Sequence, residues 1–423
     1  MRPIVFALVD CDDFYVSCER VFAPRLRGRV VVVLSNNDGC VVSRSAEAKA
    51  VGVTMGVPLF KVRGLLDAHG AKIFSSNYEL YGDLSGRVME GLEGAVGAIE
   101  RYSIDEAFFG LDAPTDESLR AAGLEIRERL GKWTGLPVTV GVAPTKTLAK
   151  LAVAAARQSE KRPGVVSLCR PRHAEEALRR LPVEKVWGVV PAYARALRAA
   201  GVQTALDLSR ADERWVRGRL GVVAARIVLE LRGVSCLPLE ACPPPRRSVT
   251  SSRSFGRPVT SLAELREAVA FHVSKAAERL RRARRMARVL LVFLETNRFA
   301  ADPQHAPAVS AALPVPTDLT PELVGHAQRL VERAFLDGVE YKKAGVMLLD
   351  LVPARPAQSG LFDGRDRERQ RRVMEAVDRI NRLMGRDTVR CARVGFAHDW
   401  QMKCGRRSPR YTTNWRELLT VAA

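Results

Sequence analysis

The chain opens on an apolar run that ends in carboxylates: Ile4-Val5-Phe6-Ala7-Leu8-Val9, then Asp10, Asp12 and Asp13. A short apolar run of this kind reads as a buried strand. It stops at acidic residues and lacks a small-residue cleavage site, so it is not expected to be a signal peptide. A buried strand fixes the position of whatever follows it, and carboxylates at its end supply hard oxygen ligands suited to Mg²⁺. Asp12 and Asp13 have a second reading, as caps accepting backbone N–H groups at the start of a helix.

A second acidic step, Ser103-Ile104-Asp105-Glu106, lies between Ala98–Tyr102 and Ala107–Leu111, whose apolar residues suggest a hairpin. Adjacent carboxylates repel each other unless a cation sits between them. A solvated acidic turn is the alternative, and two such sites in one pattern favour the metal. Between them, Val30–Ser35 reads as a strand, Gly39–Ser43 as another and Ala46–Val51 as a short helix, broken by Gly52, Gly56 and Pro58. Beyond them, Leu119, Ala122, Ile126 and Leu130 recur at helical spacing, Gly135-Leu136-Pro137 stops that helix, Val138–Val142 is a strand and Thr145–Arg157 a helix. Strand, helix, hairpin, helix, strand is the order of a ferredoxin-like α+β layer.

The remaining chain divides at proline-rich steps. Residues 181–242 contain short helices around Val186-Trp187-Gly188 and Gly201-Val202, closed by Pro243-Pro244-Pro245. Residues 246–353 carry a long helix pattern at Leu262–Met286, a strand at Ala287–Glu295, an apolar stretch at Val309–Val315, a helix at Pro321–Leu336 and a strand at Ala344–Leu351. Pro353 and Pro356 lead into a polar, basic tail, 354–423, with a helix expected at Arg367–Met384.

A chain of 423 residues is expected to hold two to four domains, and 47% hydrophobic residues provide for real cores. Lys and Arg number 67 against 47 acidic residues, a net charge of +20 that points to a polyanion, nucleic acid before membrane. No apolar run reaches the ~18 residues of a membrane span. The eight cysteines form no C-x-x-C pair, and Cys236 with Cys242 has no second pair to complete a zinc site. Free thiols and a cytoplasmic, nucleoid-associated location are expected.

Five blocks in order carry a resemblance. Val9-Asp10-Cys11-Asp12-Asp13-Phe14-Tyr15 and Tyr102-Ser103-Ile104-Asp105-Glu106-Ala107 resemble the two catalytic motifs of the Y-family DNA polymerases. Ser35-Asn36-Asn37-Asp38-Gly39-Cys40, Ser75-Ser76-Asn77-Tyr78-Glu79-Leu80-Tyr81 and Ser408-Pro409-Arg410-Tyr411-Thr412-Thr413 resemble its UmuC branch. The resemblance implies a multidomain α+β right hand: palm and fingers over 1–180, a helical thumb over 181–242, a little finger over 246–353 and the tail. It implies error-prone, template-directed synthesis past DNA lesions in the SOS response, on primer-template DNA with dNTPs. A catalytically inactive paralogue that only binds DNA is the rival, but it would have lost the carboxylates.

The resemblance assigns two Mg²⁺ ions to Asp10, Asp105, Glu106 and the Cys11 carbonyl, ~3.5–4 Å apart in the two-metal scheme. It places Phe14 and Tyr15 at the nucleotide, Tyr15 as the steric gate against a ribose 2′-hydroxyl, with Ser43, Arg44, Lys49 and Arg157 on the triphosphate. Ala46, where other branches carry an aromatic, implies a roomy nucleotide pocket. Val186–Val202 resembles a helix-hairpin-helix on DNA phosphate, or a purely structural turn, since only Gly188 of the usual glycines is kept. Arg279, Arg281, Arg282, Arg284, Arg285 and Arg288 would grip DNA; a solvated helix end is the other reading. Gln358, Leu361 and Phe362 resemble a sliding-clamp-binding peptide, the alternative being that Leu361 and Phe362 fold back onto the little finger. A UmuD′-like dimer and RecA complete the implied partners.

Overall fold

The computed structural model describes residues 4–158, 164–242, 244–301, 303–354, 366–396 and 399–420. They form two compact units, Met1–Ser35 with Gly39–Pro243 and Arg406–Ala423, and Asn36–Asp38 with Pro244–Gly405. The tail does not form a unit of its own: its final residues belong to the first unit and its helix to the second.

The first unit begins with β1 (Val5–Cys11), α1 (Phe14–Phe22), β2 (Val31–Leu34), β3 (Val41–Arg44), α2 (Ala46–Ala50), α3 (Leu59–Ala68) and β4 (Lys72–Ser75). It continues through α4 (Tyr78–Val96), β5 (Ile99–Arg101), β6 (Glu106–Leu111), α5 (Asp116–Thr134), β7 (Val138–Ala143), α6 (Lys146–Gln158) and β8 (Val165–Ser167). The main sheet runs β5-β6-β1-β7-β8, with β1 antiparallel to both β6 and β7. With the separate sheet β3-β2-β4 set aside as an insertion, β1, β5, β6 and β7 take the ferredoxin-like order, and β8 adds a parallel edge. The strand expected at Gly39–Ser43 forms at Val41–Arg44 instead. Its first positions are taken by the turn that closes Ser35 on Cys40 through a 2.7 Å backbone hydrogen bond.

The alternation of β1 sorts the sheet's two faces. Ala7, Val9 and Cys11 pack with residues of α4 and α5, whereas Phe6 and Leu8 pack with residues of α6. Gly141 on β7 lets α6 lie close. A Cβ there would stand 2.3 Å from the Ala149 carbonyl oxygen and 2.6 Å from the Val153 nitrogen, so only glycine fits. Five helices follow: α7 (Pro171–Arg180), α8 (Pro191–Ala199), α9 (Ala205–Arg210), α10 (Glu213–Leu220) and α11 (Val222–Leu231).

The second unit comprises β9 (Ser248–Val259), α12 (Leu262–Arg282), β10 (Arg285–Thr296), β11 (Ala308–Thr317), α13 (Thr320–Ala334), β12 (Tyr341–Pro353) and α14 (Arg367–Leu383). The antiparallel sheet β11-β10-β12-β9 carries α12 and α13 on one face. Ala287, Leu290, Val292 and Leu294 of β10 point into that core, alongside Leu265, Val269, Val273 and Leu280 of α12. The helix expected to reach Met286 ends at Arg282, because Arg284 turns left-handed, φ 50°, and the chain reverses into β10.

Candidate active site

The antiparallel register of β1 on β6 sets Asp10 directly opposite Glu106. The Cys11 N–H donates to the Asp105 carbonyl at 2.9 Å, which ties the third carboxylate residue to the same end of the sheet. Asp10 follows Phe6 and Leu8 at every second position, so it lies on the α6 face. Glu106 shares that face, two residues before Phe108.

α6 answers these carboxylates with cations. Arg157 forms an ion pair with Asp10 and reaches Asp12 at 3.0 Å. Lys150 donates to both Glu106 carboxylate oxygens, at 3.0 and 2.8 Å. Lys150 was not singled out from the sequence. The available signal was its seven-residue spacing from Arg157, two helical turns, which puts both side chains on one face. The Lys150 ammonium also lies over the Tyr102 ring, 4.4 Å from its centroid. Trp187 completes this corner: its indole N–H donates to the Tyr102 hydroxyl at 3.2 Å. Gly188, at φ 89°, leaves room for Ile227, whose Cδ1 would lie 2.9 Å from a Cβ there. These contacts give the Val186–Val202 turn a packing role.

Asp10 is 8% exposed, and burial pushes its carboxyl up to about 7 even with Arg157 beside it. Asp105 draws its hydrogen bond from the Ser103 hydroxyl. Asp10, Asp105, Glu106 and the Cys11 carbonyl are all hard oxygen donors, a set whose chemistry fits a divalent cation such as Mg²⁺. Among the described residues no three acidic, His or Cys side chains converge as a preformed ligand set; Asp10 and Glu106 are paired with α6 cations. The capping role considered for Asp12 and Asp13 is not seen. Asp12 accepts from the Thr139 hydroxyl at 2.7 Å and from Arg157, while Asp13 sits left-handed at the start of α1 and pairs with Lys49.

Phe14 is buried in the core beside α4 and α5. Tyr15 is half-buried, its ring stacked on Tyr81 at 4.4 Å and edge-on to Tyr78 at 6.1 Å. Burial pushes the Tyr15 phenol up to about 12, so it is neutral at physiological pH. Ser43 is brought to the β1–α1 turn, donating to the Asp13 carbonyl at 3.3 Å. The Arg44 guanidinium bonds the Val53 carbonyl.

The six arginines of the basic run do not act alike. Arg281 is nearly buried and fork-bonds Asp378 of α14 at 2.7 and 2.8 Å, with further bonds to the Asp318 carbonyl and the Thr320 hydroxyl. It is therefore structural, a correction to its expected place on DNA: a residue of the tail helix neutralises it. Arg279 bonds the Thr250 carbonyl, Arg282 pairs with Glu278 at 3.0 Å and Arg288 with Asp350 at 3.7 Å. All three are exposed, as is Arg284, and Arg285 is partly so. Gln358, Leu361 and Phe362 lie outside the described residues.

Residues 9–154 match the impB/mucB/samB family, 246–361 its C-terminal domain, and 371–421 a domain of unknown function (DUF4113). The chain is 43% identical to the protein SamB of Salmonella typhimurium, over 98% of this chain and 99% of that one. It is also 43% identical to the protein UmuC of the same organism, over 99% and 100%. A DNA polymerase IV of Desulfatibacillum aliphaticivorans is 29% identical over 90% and 94%. Among solved structures, the Y-family DNA polymerase chimera Dbh-Dpo4(243-245)-Dbh superposes with a TM-score of 0.66 at 21% identity, covering 82% of this chain and 99% of that chain.

Proposed function

The chain belongs to the impB/mucB/samB family, the UmuC type of Y-family DNA polymerase, and from that premise we propose that it adds deoxynucleotides to a primer 3′ end on damaged template. The observation that carries the reading is the opposition of Asp10 and Glu106 across β1 and β6, with Asp105 tied beside them. Asp10, Asp105, Glu106 and the Cys11 carbonyl would hold two Mg²⁺ ions, which supply Lewis-acid activation of the primer hydroxyl and neutralise the triphosphate.

The chain's own residues prepare that site. Arg157 offsets part of the desolvation that raises the Asp10 carboxyl. Lys150 pairs with Glu106, and both cations would meet the negative charge that a triphosphate brings. Ser43, Arg44 and Lys49 serve the triphosphate, and Tyr15 excludes a ribose. Arg279, Arg282, Arg284, Arg285 and Arg288 serve DNA. A role in the SOS response, with a UmuD′-like dimer, RecA and the sliding clamp as partners, rests on the likeness to UmuC along the whole chain.

Primer extension by Asp105→Ala tests the reading. Extension should fall at least about a hundredfold, the scale of losing one stabiliser of transition-state charge, while primer-template affinity stays at the parent's value. Near-parental extension would remove Asp105 from the site.

A further inference from the structure

Two sequence blocks have no part in the chemistry above, Ser75–Tyr81 and Ser408–Thr413, and the fold of the first unit brings them together. Arg406 pairs with the end of β4: its carbonyl accepts from the Ser75 N–H at 3.1 Å, and its own N–H donates to the Ser75 hydroxyl at 3.0 Å. Asn77, the cap of α4, then donates to the Ser408 carbonyl at 3.1 Å, the Ser408 hydroxyl at 3.0 Å and the Pro409 carbonyl at 3.1 Å. Arg410 pairs with Glu79 at 3.2 Å and Glu417 at 2.6 Å.

This segment reaches the proposed nucleotide gate by a short route. Tyr15, Glu19 and Phe22 recur on α1 at i, i+4 and i+7, one stripe of the helix. Tyr411 stacks on Phe22, with ring centroids 4.4 Å apart. The Ser408 hydroxyl donates to Glu19 Oε1 at 2.9 Å, and the Tyr81 hydroxyl donates to the same oxygen at 2.7 Å. Tyr81, fully buried, is the ring on which Tyr15 stacks. Glu19 is 2% exposed, so each of these hydrogen bonds is made in a site without competing water.

We propose that residues 406–417 form a strap whose Ser408 hydroxyl, through Glu19 and Tyr81, holds the Tyr15 ring in place and so sets how strictly a ribose 2′-hydroxyl is excluded. The inference rests on the reading of Tyr15 as the sugar gate. It gives a function to the last part of the domain of unknown function. Ser408 and Tyr81 are positioning residues, touching neither nucleotide nor metal. Tyr81 keeps its ring against Tyr15 only while its hydroxyl is fixed at the far end, and Ser408 fixes the acceptor.

The test is single-nucleotide insertion by the full chain with matched dNTP and rNTP. Ser408→Ala and Tyr81→Phe should each lower the deoxy-to-ribo ratio of kcat/KM about tenfold, the worth of one hydrogen bond to a carboxylate, with dNTP kcat/KM within about threefold of the parent. Ser408→Thr, which keeps the hydroxyl, should restore the ratio. Amide exchange over residues 75–85 should quicken in Ser408→Ala and not in Ser408→Thr. Tyr81→Phe changes no volume beyond one oxygen, so it decides the matter if Ser408→Ala folds poorly. If Tyr15→Ala relaxes the ratio while Tyr81→Phe and Ser408→Ala keep the parental one, the strap does not position the gate. If Tyr15→Ala itself leaves the ratio unchanged, the gate reading fails.

Discussion

Glu19 is the residue whose ionisation is most exposed to test. Burial raises its carboxyl above the ordinary 4.5, and the hydroxyls of Tyr81 and Ser408 offset only part of that. A carboxyl with a raised folded-state value favours folding below 4.5 and loses that contribution as pH climbs through the raised value. Glu19→Gln keeps an acceptor oxygen but cannot ionise. Its melting temperature should therefore gain on the parent's as pH rises from 4.5 to 8; a difference that does not change with pH would show Glu19 ionises freely. At this scale the sequence was legible where periodicity speaks. Asp10 and Glu106 followed from an apolar strand that ends in carboxylates and from a hairpin, whereas Arg157 was singled out by the family resemblance alone. Lys150 was missed although its spacing from Arg157 was available. Glu19 and Ser408 were not legible, because a hydrogen bond across 389 residues of chain leaves no local pattern.

Among the elements, α6 positions both site cations and depends on Gly141. Gly141→Ala drives a methyl into the α6 backbone and should cost about 1–3 kcal/mol by overpacking, together with a loss of primer extension as Lys150 and Arg157 shift. Denaturant melts and extension rates measure the two effects; parental values in both would show that α6 yields at no cost. The end of α12 and the start of β10 make a contrasting case. Arg281→Ala breaks a nearly buried pair with Asp378 and should destabilise the protein by about 3 kcal/mol. Neutralising Arg282, Arg284 and Arg285 instead should lower the slope of log affinity against log salt by roughly 2–3, since each phosphate contact contributes about 0.9. An unchanged slope would place these side chains off DNA. The basic run was legible as charge, but its division was not. Helix spacing carried α12 to Met286, and nothing in composition marks Arg284 as the left-handed residue that ends it. Nor did it mark Asp378, ninety-seven residues on, as the partner of Arg281.

For the whole molecule, a net charge of +20 and a ferredoxin-like layer with carboxylates at one end were both readable from the chain, because each is a property of composition or local period. The division of the tail between two units was not, since it is decided by tertiary contacts alone. Among the described residues no helix is long and apolar enough to cross a membrane. The central claim is that the chain copies a template. It is tested most directly by extending a primer with the purified protein on four templates that differ only in the next base, with Mg²⁺ present and then chelated. The account predicts that the inserted nucleotide changes with the template base, that chelation stops insertion, and that Asp10→Ala does the same. Insertion that ignores the template base, or that persists in Asp10→Ala, would contradict it.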